Sequence, residues 1–225
     1  MDWYPLLNSI RIALISTTFV FFAGIGVAYL VSLLPRIFKG ILDVILMLPL
    51  VLPPTVVGFC LLKILGPNSF CGRIFGEFFD CKLTMQWWSG IFATFVIIFP
   101  LMYRTARGAF ESFDQTLEHA GRTLGLSNSF IFWKIRIPNC KKGLIAGVIL
   151  SFARAIGEYG ATSMVAGYIP GKTATIATTV YQLWRNNDDL LAFKWVMINI
   201  ALSVIVLIAV NLVENPRTLQ KGERV

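Results

Sequence analysis

Apolar residues gather into five long runs along this chain, at about 12–34, 41–65, 87–110, 139–169 and 193–213. A hydrocarbon core about 30 Å thick takes roughly 20 helical residues to cross, so each run is long enough to span a bilayer. Lipid offers no hydrogen bonds to the backbone, and a helix satisfies its amides within one segment. The pattern predicts an all-α integral membrane protein with about five transmembrane helices. Between the last two runs, residues 170–194 are too polar to span, yet Ile176, Val180, Leu183 and Trp184 recur at near-helical spacing. That predicts a short interfacial helix, a sixth element that is either surface-lying or re-entrant. The first run is too long for a signal-peptide core and no basic segment precedes it, so it reads as a retained span. Without internal repeats or low-complexity tracts, residues 1–225 read as one membrane domain.

The polar stretch at 113–138 has its own punctuation. Asp114 is a good N-cap for a short helix over Gln115–Leu124, and Gly125 supplies a left-handed stop. Ser127 is placed to cap a second helix ending before Pro138, and Pro138 suits the first turn of the next span because its missing N–H is unneeded there. Ala120 and Gly121 are small enough to let a partner surface approach the short helix. The alternative is an ordinary amphipathic connector between spans. His119 is the sole histidine of the chain, so it has no partner for metal binding or base catalysis and reads as an exposed docking residue.

Composition agrees with lipid as the solvent. Of the 225 residues 56% are hydrophobic and 14% charged, and the mean hydropathy is +0.70, far from what a water-exposed surface needs. The net charge of +8 suggests cations retained on one membrane side rather than a nucleic-acid partner, for which there is no soluble basic domain. Arg36, Lys39, Arg104, Arg107, Arg122, Lys134, Arg136, Lys141, Lys142, Arg217, Lys221 and Arg224 fall on one side, against Arg73, Lys82, Lys172, Arg185 and Lys194 on the other. The positive-inside rule then puts the N-terminus outside and the C-terminus in the cytoplasm. Trp3, Tyr4, Trp87, Trp88, Tyr168, Trp184 and Trp195 fall near outer ends, as an aromatic belt does.

Several intramembrane features point to chemistry. Pro49, Pro53 and Pro54 remove backbone donors from one span, which must kink or break. The region Pro53, Pro54 and Thr55 then either lines a translocation path or is a kink packed against neighbours. Arg154 and Glu158 are the charges deep in the fourth run, four residues apart and on one helix face. They read as a cationic way-station for an anion with a counter-charge that prevents tight retention, or as a structural pair. Small residues at Ala153, Gly157 and Ala161, and at Gly143 and Gly147, permit close helix contact within one chain or between two. A pore built of five helices alone is cramped, so a dimer is expected. Cys71 and Cys81 share one loop and are either bonded or free thiols. The stretch Gly171-Lys172-Thr173 imitates the end of a phosphate-binding loop but follows a membrane helix, where no such loop works. No nucleophile–base set or metal cluster suggests catalysis, so no enzyme activity, cofactor or metal is expected.

Glu118-His119-Ala120-Gly121-Arg122, Gly125 four residues beyond Gly121, and Ile135-Arg136-Ile137-Pro138 together resemble the "EAA" loop of ABC importer permeases. The chain departs from that pattern at His119 (usually Glu), Gly121 (usually Ala) and Ile137 (usually Leu). Leu48–Gly58, Phe99-Pro100-Leu101-Met102 and Phe152–Thr162 are similar to the molybdate permease family, in the same order, and the likeness covers nearly the whole chain. The resemblance implies a type I ABC importer permease fold and a homodimer. It implies two cytoplasmic ABC ATPase subunits gripping the 113–138 loop through Glu118, His119, Ala120, Gly121, Arg122, Gly125, Ile135 and Pro138, and an extracytoplasmic oxyanion-binding protein delivering molybdate at the outer face. Tungstate and sulfate or thiosulfate are the alternative cargoes. From another class, an ATP-independent channel or secondary carrier would leave the Gly125 to Pro138 spacing unexplained.

Overall fold

A computed structural model describes residues 2–79 and 82–214 of the chain. The described residues are helical with connecting turns and contain no strand. Helix α1 runs Tyr4–Ser32, opening on Pro5 in its first turn, where a proline's missing N–H is harmless. It lies along α5 (Ser89–Glu111), the central helix of the bundle. The facing positions of α1 are small: Ala13, Ser16, Val20 and Ala28 have no exposed surface, and Ser16 Oγ donates to the Ile91 carbonyl at 3.1 Å. In lipid, where apolar burial gives little drive, such close backbone approach and interhelical hydrogen bonding hold helices together.

The second apolar run forms two helices rather than one. Helix α2 covers Arg36–Val51 and α3 covers Pro54–Leu65, bent by 108° at the join. Leu52 and Pro53 both have extended backbone there. Each precedes a proline whose ring excludes it from helical conformation, so consecutive prolines break the helix where Pro49 alone is accommodated inside α2. Helix α4 spans Phe70–Phe79. Cys81 lies outside the described residues, as does any bond it makes with Cys71.

After α5 come the short α6 (Gln115–Thr123), a helical turn α7 (Asn128–Phe130), a π-helical segment Ile131–Arg136 and α8 (Ile137–Ile156). The second loop helix does not end before Pro138; it runs through it into α8. Pro138 cannot donate and its ring crowds the carbonyl four residues back, and the wider π turn just before it accommodates both defects. The fourth run also breaks. Helix α8 stops at Ile156, and after Gly157–Tyr159 a separate six-residue α9 covers Gly160–Val165. Helix α10 (Ile176–Arg185) opens with a capping box between Thr175 and Thr178. Helix α11 (Asp189–Glu214) closes the described chain, so Arg217, Lys221 and Arg224 lie outside it.

Three described helices, α1, α5 and α11, are long and apolar enough to cross a membrane unbroken, and α2 with α3 passes the same test as a bent pair. The break expected from the prolines of the second run is present, and the single helix expected for the fourth run is corrected to two, where a Gly-Glu break outweighs apolar length. Gly143 and Gly147 face Ala109 and Thr105 of α5, which makes their close contact intramolecular. At the N-terminal end, Asn8 Nδ2 donates to the Ala174 carbonyl at 3.0 Å and Ser9 Oγ accepts from Ile176 N at 2.9 Å, fastening the α9–α10 connection to α1. Trp3 meets Trp195 edge-on. The phosphate-loop imitation is used internally: Thr173 Oγ1 accepts from Ile169 N at 2.9 Å in a buried turn.

Candidate functional site

Helix α6 is short, polar and sharply delimited. The Asp114 carboxylate accepts from Thr116 N at 2.8 Å, and the hydrogen bonds from Thr116 hold its carboxyl below the ordinary aspartate range. At the other end Leu126 N donates to the Gly121 carbonyl and Gly125 N to the Arg122 carbonyl. This is the paired reversal that requires a left-handed residue, supplied by Gly125 at φ +75°. Ser127 then caps α7 through Phe130 N at 3.2 Å.

Several residues of the loop face inward. A side chain at Gly121 would meet Ile131 and Ile135 at 3.2–3.3 Å, so the approach its smallness permits is of the chain to itself and not of a partner. Glu118 does not point out either: it pairs with Arg122 at 2.8 Å and with the half-buried Arg136. His119, Ala120, Arg122, Gly125 and Pro138 are exposed. So are Leu117, Leu124, Phe130 and Trp133, the last two at 46% and 61% and Leu124 at 77%. These apolar groups around a polar helix were not singled out by sequence reasoning. Their signal was available, since Leu117 and Leu124, the residue just past the end of α6, are seven positions or about two helical turns apart. Beside them a groove of about 310 Å³ opens between α5, α6 and α8, lined by Phe113, Asp114, Leu117, Asn139 and Lys142 among others.

A second polar cluster joins α2 to α5. Arg107 bonds Asp43 and, at 3.0 Å, Glu111, while Lys39 reaches Glu111 at 3.1 Å. Tyr103 donates to Asp43. Sequence reasoning assigned Lys39 and Arg107 only to the positive side and left out Asp43, because the pairing crosses 60 or more residues of chain.

The two broken runs meet in space. A side chain on Gly160 would lie 2.9 Å from both Pro54 Cβ and Thr55 N, and one on Gly58 would lie 2.7 Å from Ala161 Cα. Helix α3 therefore lies directly on α9, with Val57, Ala161, Val165, Ala93 and Ile97 forming a small apolar core between them and α5. Pro53 and Thr55 stay exposed at the first break. At the second break Glu158 is buried, its Oε1 accepting from Ala161 N at 2.8 Å. Its Oε2 lies 2.7 Å from the Arg154 guanidinium without hydrogen-bond alignment, and the Arg154 side chain is 34% exposed. The carboxylate expected to balance the guanidinium does so through Oε2 while its Oε1 caps α9, and Arg154 is the more exposed member of the pair. No group of three or more potential metal ligands occurs among the described residues.

Comparison with known proteins agrees with this architecture. Residues 20–215 match the family described as binding-protein-dependent transport system inner membrane component. The chain is 37% identical over 208 residues to the molybdenum transport system permease protein ModB of Escherichia coli (strain K12), covering 92% of this chain and 91% of that one. It is 35% identical over 173 residues to ModB of Haemophilus influenzae, covering 77% and 76%. A sulfate transport system permease protein, CysW of Synechocystis, is 32% identical over 178 residues, covering 79% and 63%. Among solved structures, a chain of the MetNI methionine ABC transporter in an inward-facing conformation superposes with a TM-score of 0.72 at 13% identity, covering 94% of each chain, and shares the fold. The chain is a multi-pass membrane transport component with the type I ABC importer permease fold, and it belongs to the binding-protein-dependent transport system inner membrane component family.

Proposed function

We propose that this protein is the permease subunit of an ABC importer that carries molybdate across the cytoplasmic membrane, driven by ATP hydrolysis in partner subunits. The observation that carries the reading is the 37% identity to a molybdenum permease over nine-tenths of both chains. In this proposal the whole chain acts as one permease domain, paired with a second copy. Its N-terminus faces out, its C-terminus faces the cytoplasm, and an extracytoplasmic binding protein hands over the anion. Two cytoplasmic ATPases hold the 113–138 loop, with His119, Ala120 and the exposed Leu124, Phe130 and Trp133 as their contact surface. Glu118, Gly121, Arg122, Gly125, Ile135 and Pro138 keep that surface in shape. Closure of the ATPase pair moves α6 as a rigid body and changes which side the conduit opens to.

The path passes the junction of the two broken runs, where Pro53, Pro54, Thr55 and Arg154 are the groups an oxyanion meets. The Arg154 guanidinium, partly hydrated and paired with Glu158, attracts a dianion without retaining it, as a conduit requires. The 32% identity to a sulfate permease supports sulfate as the second reading, because tetrahedral dianions differ little in what such a path senses. The test is uptake by proteoliposomes holding this chain, its ATPase and its binding protein, with molybdate, tungstate and sulfate in competition. ATP-dependent molybdate uptake that excess sulfate fails to suppress is the expected result. Preferential sulfate uptake would change the cargo, and uptake without any ATPase would overturn the reading.

A further inference from the structure

Arg136 closes the π-helical segment, and its side chain is only 14% exposed. It bonds Glu118 of α6. Its guanidinium carbon also lies 5.4 Å from the ring centre of Tyr29, 5.9 Å from Phe110 and 5.3 Å from Phe113. Tyr29 is in the last turns of α1, Phe110 in the last turn of α5, and Phe113 in the turn leading to α6. Phe132 completes the box, 4.5 Å from Tyr29 and 6.2 Å from Phe110 between ring centres. A guanidinium is suited to this place, since it stacks on aromatic faces while its planar fork engages a carboxylate in one orientation.

We propose that Arg136 is the positioning residue that ties α6 to the ends of α1 and α5, so that displacement of α6 reaches the transmembrane helices instead of being absorbed in the flanking turns. Besides this tie, α6 is joined to the bundle by the turn at 112–114, by the reversal at 124–127 and by the contact of Gly121 with Ile131 and Ile135. Phe113 in the first of these turns is itself buried in the core of α1, α5 and α8, and the apolar contact of Gly121 is with the segment next in sequence. The Glu118–Arg136–aromatic junction brings α6, the end of α5 and the sequence-distant end of α1 to one group. A charge pair largely withdrawn from solvent resists separation of its members more than an exposed one, which makes it a stiff connector.

The inference rests on the proposed docking of an ATPase at α6, and the test separates the two. The full transporter in proteoliposomes is assayed for ATPase retained through purification and for ATP hydrolysed per molybdate imported. A merely structural role for Arg136 lowers the yield of assembled transporter without changing that ratio. Arg136→Met is expected to retain the ATPase and raise the ratio about tenfold, with Arg136→Lys in between. An unchanged ratio in assembled Arg136→Met transporter overturns the inference alone, whereas an unsubstituted chain that retains no ATPase overturns the functional reading with it. If Arg136→Met does not assemble, Tyr29→Leu decides: it removes one wall of the box, leaves the Glu118 pair intact, and is expected to raise the ratio about threefold. No rise there overturns the inference.

Discussion

At Glu158 one buried carboxylate caps α9 through Ala161 N and faces the Arg154 guanidinium. Replacing it by Ala removes both roles and leaves Arg154 unbalanced. Because Arg154 is one-third exposed, solvent compensates part of the loss, and a destabilisation of about 1–3 kcal/mol is expected. Thermal unfolding in detergent should show it as a midpoint lower by roughly 3–10 °C. Arg154→Gln, by contrast, should leave that midpoint closer to the parent while lowering anion uptake about tenfold, since it removes the exposed charge and not the cap. At Asp114 the hydrogen bonds from Thr116 lower the folded-state pKa relative to the unfolded chain. Its contribution to α6 is therefore fully present above the ordinary aspartate range and is lost as pH falls through the lowered value. Hydrogen exchange at Thr116 and Leu117 should thus show constant protection from about pH 8 to pH 5 and a loss only below about pH 4.

Among the elements, the crossing of α3 and α9 has the least room. Ala at position 160 would place its methyl 2.9 Å from the Thr55 backbone nitrogen, and Ala at position 58 would lie 2.7 Å from the backbone of Ala161. Backbone on both sides cannot yield as a flexible side chain does. Each of Gly58→Ala and Gly160→Ala should destabilise by about 1–3 kcal/mol, read as a lower unfolding midpoint. Gly121→Ala meets only the ends of two isoleucine side chains, and less than about 1.5 kcal/mol is expected. Replacing Pro53 and Pro54 together by Ala restores two amide donors and the freedom to remain helical. Should the break matter for passage, expression is kept and uptake falls; unchanged uptake would leave the break a packing feature.

For the whole molecule, the bundle can be divided by what each part is fastened to. Helices α1, α5 and α8 share one core, and α3 with α9 forms a second, smaller one. Helix α2 has no buried residue, and the Asp43–Arg107–Glu111–Lys39 cluster pins it to α5. If α2 swings when access changes, Asp43→Asn should shift the balance of accessibility at exposed α2 positions such as Val44 and Ile45, measured by labelling of single cysteines there. Assembled with its partners the transporter should import only with ATP, and the chain alone should pass no anion.

The sequence by itself determined the membrane class, the all-helical fold, the run positions and the limits of α6. Apolar length, proline sterics, the cap at Asp114 and the left-handed stop at Gly125 are local properties that neighbours in sequence decide. It also gave the family through motifs spread along the chain. Only the tertiary structure decided that the breaks in the second and fourth runs lie against each other, that Gly121 and Glu118 face inward, and that Asp43 and Arg136 are fastening points. The meeting of the two breaks and the fastening at Asp43 and Arg136 depend on groups brought together from positions 18 to about 110 residues apart, and even the inward turn of Gly121 needs Ile131 and Ile135 from the next helical segment. Nothing in a linear pattern of residues specifies which distant surface a polar side chain will find when water is excluded from around it.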